Sequence, residues 1–282
     1  MNRNTRPLLR IENLVVEYGK AQWGKPANRV LHGVSLDIRS SETVGLVGES
    51  GSGKTTLGRS VLGLVPVTSG RITYDGADVT HARRRERRAL AKEIQVVFQD
   101  PYSSLNPSLL VSDILSEPLR AAGVGGPEAL KAVRDLLDRV GLPSDASERY
   151  PVEFSGGQRQ RIAIARALAL EPRLIICDEP VSALDLSTQA RVLDLLIDIQ
   201  ERTGISLLVI SHDLSVVRAV CHRVAVMFKG KIIEQGSTSS VIDNPTQEYT
   251  KKLLLAAPVS DPEEQRERRV ARRLLLERER VS

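Results

Sequence analysis

The chain has 282 residues, and its 40 lysines and arginines against 35 aspartates and glutamates give a formal net charge of +5. Hydrophobic residues make 41% and charged residues 27%, which is ordinary globular usage and excludes a disordered, collagenous or low-complexity chain. The two cysteines, Cys177 and Cys221, are too few for a disulfide framework or a four-cysteine metal site. An aromatic content of 3% argues against a nucleic-acid partner held by stacked bases.

The sequence predicts no membrane-spanning segment. The longest apolar candidate, residues 253–259, is seven residues long, whereas a span needs about 20. The first residues carry charge without an apolar stretch, so we expect no signal peptide. A role at a membrane would therefore come through a partner protein.

Hydrophobic periodicity predicts an α/β fold. Strands are predicted at residues 8–17, 30–38, 43–47, 94–98, 173–177, 205–210, 224–228 and 231–234. Helices are predicted at 54–64, at 158–170 and along the stripe from 192 to 199. Strands that alternate with helices favour a mostly parallel sheet. The last two strands are predicted to form a hairpin, and no internal repeat is present.

The sequence pattern changes at about residues 100–160, where prolines separate short segments. Helical spacing is seen for Leu130, Val133, Leu136, Leu137 and Val140, which predicts a small helical insertion. Two charge runs, at 83–88 and at 262–280, are interpreted as solvated helical faces, with binding to acidic surfaces or lipid head groups as the alternative.

A glycine-rich loop follows the apolar strand 43–47 and opens a helix. It satisfies the phosphate-binding pattern G-x-x-x-x-G-K-[ST] with Gly48, Glu49, Ser50, Gly51, Ser52, Gly53, Lys54 and Thr55. Its backbone amides and the helix N-terminus would cradle a phosphate chain. Lys54 would reach the β- and γ-phosphates, Thr55 would bind Mg²⁺, and the next residue, Thr56, is included in the predicted nucleotide site.

Two adjacent carboxylates end the apolar strand that begins near residue 173. Asp178 is placed to hold Mg²⁺, as the acidic residue of the second nucleotide motif does. Glu179 is one residue further along and would orient, or accept a proton from, an attacking water. The pair therefore predicts a hydrolytic nucleotide site rather than a site that only binds.

Residues 154–161, FSGGQRQR, resemble the signature motif of ATP-binding-cassette (ABC) ATPases. The resemblance covers residues 8–258 and includes Gln99 as the Q-loop glutamine, Asp185 in the D-loop, His212 as the switch histidine and Tyr18 as the aromatic that stacks on adenine. It implies a P-loop ATPase core with a parallel sheet, an N-terminal antiparallel part and a helical subdomain inserted at about 100–160. The predicted domain is 1–258, followed by a charged tail at 259–282 that is predicted to be helical.

The resemblance also implies roles for the residues and a mode of assembly. Two cassettes would pack head to tail around two ATP molecules, and Ser155, Gly156, Gly157 and Gln158 would meet the γ-phosphate bound by the partner. Gln99 would sense the γ-phosphate through Mg²⁺ or water, and His212 would contact it. The predicted catalytic residues are Glu179, His212, Gln99 and Lys54, the predicted metal site is Thr55, Gln99 and Asp178, and the predicted ligands are ATP and Mg²⁺.

Within that family the chain resembles the branch that imports dipeptides, oligopeptides and nickel, through FQDPYSSLNP and the segment from 230 to 258. The enlarged loop after Tyr18, with its tryptophan, resembles the F-type ATPase of such systems, which favours a paralogous second cassette. The implied partners are that cassette, two transmembrane permease subunits and an extracytoplasmic solute-binding protein, with the chain peripheral on the cytoplasmic face of the membrane. The alternatives are another cargo, an exporter, or a soluble cassette protein of DNA repair or translation.

Overall fold

Two sheets with surrounding helices form the part of the chain that the computed structural model describes, residues 6–19, 27–256 and 266. The strands are β1 (Leu9–Tyr18), β2 (Asn28–Ile38), β3 (Thr43–Val47), β4 (Ser69–Tyr74), β5 (Ala77–Asp78), β6 (Ile94–Val97), β7 (Leu174–Asp178), β8 (Ser206–Ser211), β9 (Arg223–Phe228) and β10 (Lys231–Ser237). The helices are α1 (Lys54–Val61), α2 (Arg84–Glu93), α3 (Pro101–Ser104), α4 (Val111–Ala121), α5 (Gly126–Arg139), α6 (Gly156–Leu168), α7 (Leu186–Thr203), α8 (Leu214–Val220), α9 (Thr238–Asp243) and α10 (Glu248–Ala256).

The central sheet has the strand order β10-β9-β3-β8-β7-β6. All neighbouring pairs in it are parallel except β10 with β9, which form the expected hairpin. Strands β3, β7 and β8 are buried along their whole length, as parallel strands covered on both faces are. Because parallel strands share a direction, the loop after β3, the carboxylates of β7 and the histidine after β8 meet at one edge.

A second, antiparallel sheet has the order β2-β1-β4-β5 and packs its apolar face into the core that α1 shares with the central sheet. The expectation of an N-terminal antiparallel part on a parallel-sheet core is confirmed. The sequence patterns missed β4, of whose six residues only Ile72 and Tyr74 are buried. The charge run at 83–88, interpreted as a solvated helical face, lies mostly in α2, which has no buried residue.

Short helices fill the region predicted to be a helical insertion. Helices α3, α4 and α5 and two 3-10 turns, Ser144–Glu148 and Pro151–Glu153, precede α6. The buried face of α5 consists of Ala129, Val133, Leu136 and Leu137. Leu130 was predicted to belong to this apolar stripe, but it is 48% exposed and lies off the buried face. Helices α4 and α5 belong to the same apolar core as one face of the central sheet.

Some expectations fall on residues whose structure is not described. The loop with Trp23 and the charged tail at 259–282, except position 266, lie outside the described residues, so the division at residue 258 stays a prediction. Within residues 6–19 and 27–256, no helix is long and apolar enough to cross a membrane.

Candidate nucleotide site

The glycine-rich loop connects β3 to α1, as the sequence predicts. Gly48 has φ +155° and Gly53 has φ +107°, a backbone region that side chains with a Cβ rarely adopt. A Cβ at Gly48 would lie 2.1 Å from the carbonyl oxygen of Met227 in β9. The loop therefore needs glycine at this position both for its turn and for its close approach to the neighbouring strand.

Lys54 is 5% exposed and lies beneath this loop. Its Nζ donates to the carbonyl oxygens of Gly48, at 2.8 Å, and Glu49, at 2.9 Å. Burial lowers the pKa of Lys54, while the nearby carboxylates of Glu179 and Asp178 act in the opposite direction. The ammonium thus has two carbonyl partners that phosphate oxygens could replace.

Thr55 and Asp178 offer oxygen atoms suited to a magnesium ion. The Thr55 hydroxyl donates to Oδ1 of Asp178 at 3.1 Å, across the space between α1 and β7. Burial raises the pKa of Asp178, and the hydrogen bond from Thr55 opposes that shift. The described residues hold no cluster of three or more histidine, cysteine or acidic side chains that could bind a metal. Proteins bind Mg²⁺ with one or two carboxylates plus substrate phosphates and waters, and the Asp178 carboxylate with the Thr55 hydroxyl suits that donor set.

Glu179 contacts two further side chains that were predicted from the sequence to belong to the site. Its Oε2 accepts a hydrogen bond from Nε2 of Gln99 at 3.0 Å, and its Oε1 lies 3.2 Å from Nδ1 of His212. Glu179 itself has φ +49°, and its backbone N–H donates to the carbonyl of Ile210 at 2.9 Å. Three segments that are distant in sequence, those after β6, β7 and β8, therefore meet at one carboxylate.

Most of these groups line one cavity of about 730 Å³, whereas Gly48, Ser52 and Asp178 lie outside its lining. Its lining residues are Val30, Glu49, Ser50, Gly51, Gly53, Lys54, Thr55, Thr56, Gln99, Glu179, His212 and Leu253. Tyr18 lies at the margin, with its hydroxyl 3.5 Å from Oγ1 of Thr56, and its side chain is exposed. The structure thus brings the loop, the catalytic candidates and the predicted base-stacking residue to one place.

The signature residues lie elsewhere, at the start of α6. Ser155 caps this helix: its Oγ accepts from the backbone N–H of Gln158 at 3.3 Å, and the Gln158 side chain accepts from the Ser155 N–H at 3.0 Å. None of residues 155–158 lines the cavity. A Cβ at Gly157 would lie 2.1 Å from Thr188 in α7, so this helix start packs closely on the neighbouring helix.

Asp185 also lies outside the cavity lining, at the start of α7. Its carboxylate accepts hydrogen bonds from the Ser187 hydroxyl at 2.7 Å, the Thr188 hydroxyl at 2.7 Å and the Thr188 N–H at 3.0 Å. These bonds hold the pKa of Asp185 well below its usual range. The carboxylate therefore caps its own helix.

The sequence patterns missed the contribution of α10. Tyr249 accepts a hydrogen bond from the backbone N–H of Glu49 at 3.0 Å, and Leu253 lines the cavity. Only Thr250 of this helix is fully buried, and its apolar face, with Tyr249, Leu253 and Leu254, is partly buried against the core. The signal that could have found it is a tyrosine and a leucine four residues apart, which share one helix face.

Comparison with known proteins identifies a family and several relatives. The model of the ABC transporter family matches residues 31–182. A Brucella ovis protein, provisionally named a peptide import ATP-binding protein, is 49% identical over 267 residues, 94% of this chain and 83% of its own. The oligopeptide transport ATP-binding protein OppD of Mycobacterium tuberculosis is 53% identical over 234 residues, 83% of this chain and 38% of its own.

Solved structures give the same result for the fold. The cbiO1 protein of Clostridium perfringens, part of the ABC transporter complex cbiONQ, superposes with a TM-score of 0.76 at 30% identity, covering 84% of this chain and 91% of that one. The dimeric cassette MJ0796, bound to ADP and Pi in a post-hydrolysis state, gives a TM-score of 0.73 at 29% identity, covering 82% and 98%. Since the family match spans more than half of its residues, the chain belongs to the ABC transporter family.

Proposed function

We propose that the chain is the ATP-binding and ATP-hydrolysing subunit of an importer for dipeptides or oligopeptides. The observation that carries the proposal is the cavity in which the phosphate loop faces Glu179, with Gln99 and His212 both on that carboxylate. The ATPase role follows from this chemistry and from the family. Support for the peptide cargo comes from the names of the relatives.

In the proposed reaction, the chain binds and orients ATP and water without forming a covalent intermediate. The loop amides and Lys54 hold the phosphates, so Lys54 exchanges its bonds to the carbonyls of Gly48 and Glu49 for phosphate oxygens. Thr55, Asp178 and Gln99 would hold a magnesium ion. When bound, that ion neutralises charge on the phosphate oxygens. Positioning of the reactants and electrostatic stabilisation of the transition state then account for most of the rate acceleration.

Glu179 is the proposed general base. Its side chain is 17% exposed, so it is shielded from bulk water but opens to the cavity. Hydrogen bonding to Gln99 and the contact with His212 fix the carboxylate in one orientation. A carboxylate held in this way can orient the attacking water and accept its proton. His212 and Gln99 then lie beside the position of the γ-phosphate, where both would respond to its presence.

A second cassette completes the proposed assembly. Residues 155–158 form a capped helix start, a natural anion site, yet they lie outside this chain's own cavity. The arrangement suits a head-to-tail pair in which Ser155, Gly156 and Gly157 of one cassette face the phosphates bound by the other. Two permease subunits and a solute-binding protein complete the proposed importer, with this chain peripheral on the cytoplasmic face. That the second cassette is a paralogue, and this chain the F-type subunit, stays a prediction.

The variant Glu179→Gln tests the proposed ATPase role. We expect it to bind ATP with the affinity of the unaltered chain and to lose about 10²- to 10⁴-fold in turnover, the usual contribution of a general base. The assay measures nucleotide binding and phosphate release in the complex with its permease. Glu201→Gln, an exposed position on α7, is the matched control and should leave both unchanged. Turnover of Glu179→Gln within a few-fold of the unaltered complex would show that the base is misassigned.

A separate experiment tests the assembly and the cargo. The chain is purified from detergent-solubilised membranes of its own source, and co-purifying proteins are identified by mass spectrometry. We expect two polytopic membrane proteins and a second cassette, with labelled peptides transported by the reconstituted complex. Recovery of ribosomal or repair proteins alone would contradict the importer and leave the ATPase chemistry intact.

A further inference from the structure

We propose that Tyr249 is a positioning residue of the phosphate loop, and that α10 acts as a brace that holds this loop ready for nucleotide. The inference rests on the proposed function, because it concerns the same ATP site. It assigns a role to a helix that supplies none of the predicted catalytic residues.

The contact that carries the inference is a hydrogen bond to the loop's backbone. The N–H of Glu49 donates to the Tyr249 hydroxyl oxygen at 3.0 Å. On its other side, the Glu49 carbonyl accepts from Lys54. Lys54 loses its hydrogen bond to that carbonyl when its ammonium binds a phosphate, whereas the hydrogen bond to Tyr249 can stay in place. Tyr249 is therefore the partner that can hold Glu49 in place in both situations.

A ring contact fixes the position of Tyr249, and a neighbour on the same helix face reaches the nucleotide cavity. The ring packs against Phe228 of β9, with centroids 4.2 Å apart and an interplanar angle of 37°. Leu253, one helical turn later, lines the nucleotide cavity. One face of α10 thus lies along the loop and the last parallel strand, and the hydroxyl has a defined direction.

The start of α10 is anchored to the central sheet through β10. Glu234 accepts hydrogen bonds from the N–H of Thr246 at 2.7 Å, from the Thr246 hydroxyl at 2.8 Å and from the N–H of Gln247 at 3.2 Å. A carboxylate at this point satisfies amides that precede the helix and favours its N-terminus electrostatically. The chain of contacts runs from β10 through Glu234 and α10 to Tyr249 and then to Glu49.

The variant Tyr249→Phe tests this brace, because it removes one oxygen atom and keeps the ring that packs on Phe228. We expect ATP affinity, measured on the full chain by displacement of a fluorescent ATP analogue, to fall about three- to tenfold, the effect of one lost neutral hydrogen bond. Turnover at saturating ATP and the melting temperature without nucleotide should stay close to those of the unaltered chain. Tyr150→Phe, the same change at an exposed tyrosine, is the matched control and should leave ATP affinity unchanged.

A second variant tests whether the anchor and the hydroxyl act together. Glu234→Ala lies outside the cavity lining, so it should weaken ATP binding only by releasing α10. The double variant Glu234→Ala with Tyr249→Phe should bind ATP no more weakly than whichever single variant has the lower ATP affinity, because both substitutions remove the same brace. Fully additive losses would overturn a common brace.

The outcomes separate this inference from the proposed function. If the unaltered chain binds no ATP, the proposed function fails. If the unaltered chain binds ATP and Tyr249→Phe binds it equally well, the brace is overturned and the proposed function stands. A loss of turnover with unchanged ATP affinity in Tyr249→Phe would also overturn the brace, because a loop-positioning role predicts the opposite split.

Discussion

Gly48→Ala is the substitution whose effect the structure defines most sharply. The new Cβ would lie 2.1 Å from the backbone carbonyl oxygen of Met227, an atom that cannot rotate away. The backbone at φ +155° adds conformational strain of about 1–3 kcal/mol for a non-glycine residue. Overpacking in a filled interior costs about 1–3 kcal/mol more. We therefore expect a loss of about 2–6 kcal/mol in the free energy of unfolding.

The measurement is urea unfolding followed by far-ultraviolet circular dichroism, together with ATP binding. Gly33→Ala is the matched control: Gly33 has φ +80°, and a Cβ there would meet nothing within 4 Å. It should lose only about 1–2 kcal/mol, the cost of left-handed backbone, and should keep its ATP affinity. Equal losses of stability for the two variants would refute the steric reasoning, as would normal ATP binding by a stably folded Gly48→Ala.

Two further predictions concern groups outside the nucleotide contacts. Burial raises the pKa of the Cys177 thiol to about 12 and also raises that of Cys221, so neither should react with a thiol reagent until the chain is unfolded in denaturant. Rapid labelling of the folded chain would contradict this burial. Unfolded thiols ionise near pH 8.5, so above that pH the folded state binds more protons than the unfolded state. Each thiol therefore lowers the free energy of unfolding by about 1.4 kcal/mol per pH unit until the pH reaches its folded pKa. Arg166→Met should lower the free energy of unfolding, measured in urea, by about 1.5–3 kcal/mol. Arg166 lies on the signature helix α6, and its guanidinium donates to the Ser104 carbonyl at 2.6 Å. An equal loss in Arg134→Met, an exposed arginine on α5, would contradict that assignment.

Much of the fold could be predicted from the sequence, because its signals are local. The strand at 43–47, the glycine loop and the helix after it form one continuous pattern, and the observed β3 and α1 match it. Helices with few buried residues carry a weaker apolar pattern, as α2 and α10 show. Their helices depend on capping and on contacts with distant segments, which periodicity does not report.

The candidate site divides in the same way. The sequence alone singled out the candidate residues for the chemistry, since Lys54, Thr55, Asp178 and Glu179 follow apolar strands in recognisable order. Only the tertiary structure decided how they meet.

That meeting depends on parallel strands from distant parts of the chain ending at one edge. Gln99 and His212 are more than 100 residues apart, yet both contact Glu179 because β6, β7 and β8 are neighbours in the sheet. The bond between Tyr249 and the phosphate loop spans 200 residues in sequence and has no local pattern to announce it. Such contacts depend on the order of the strands and on the packing of the helices. No local sequence pattern specifies either one, because both result from interactions across the whole fold.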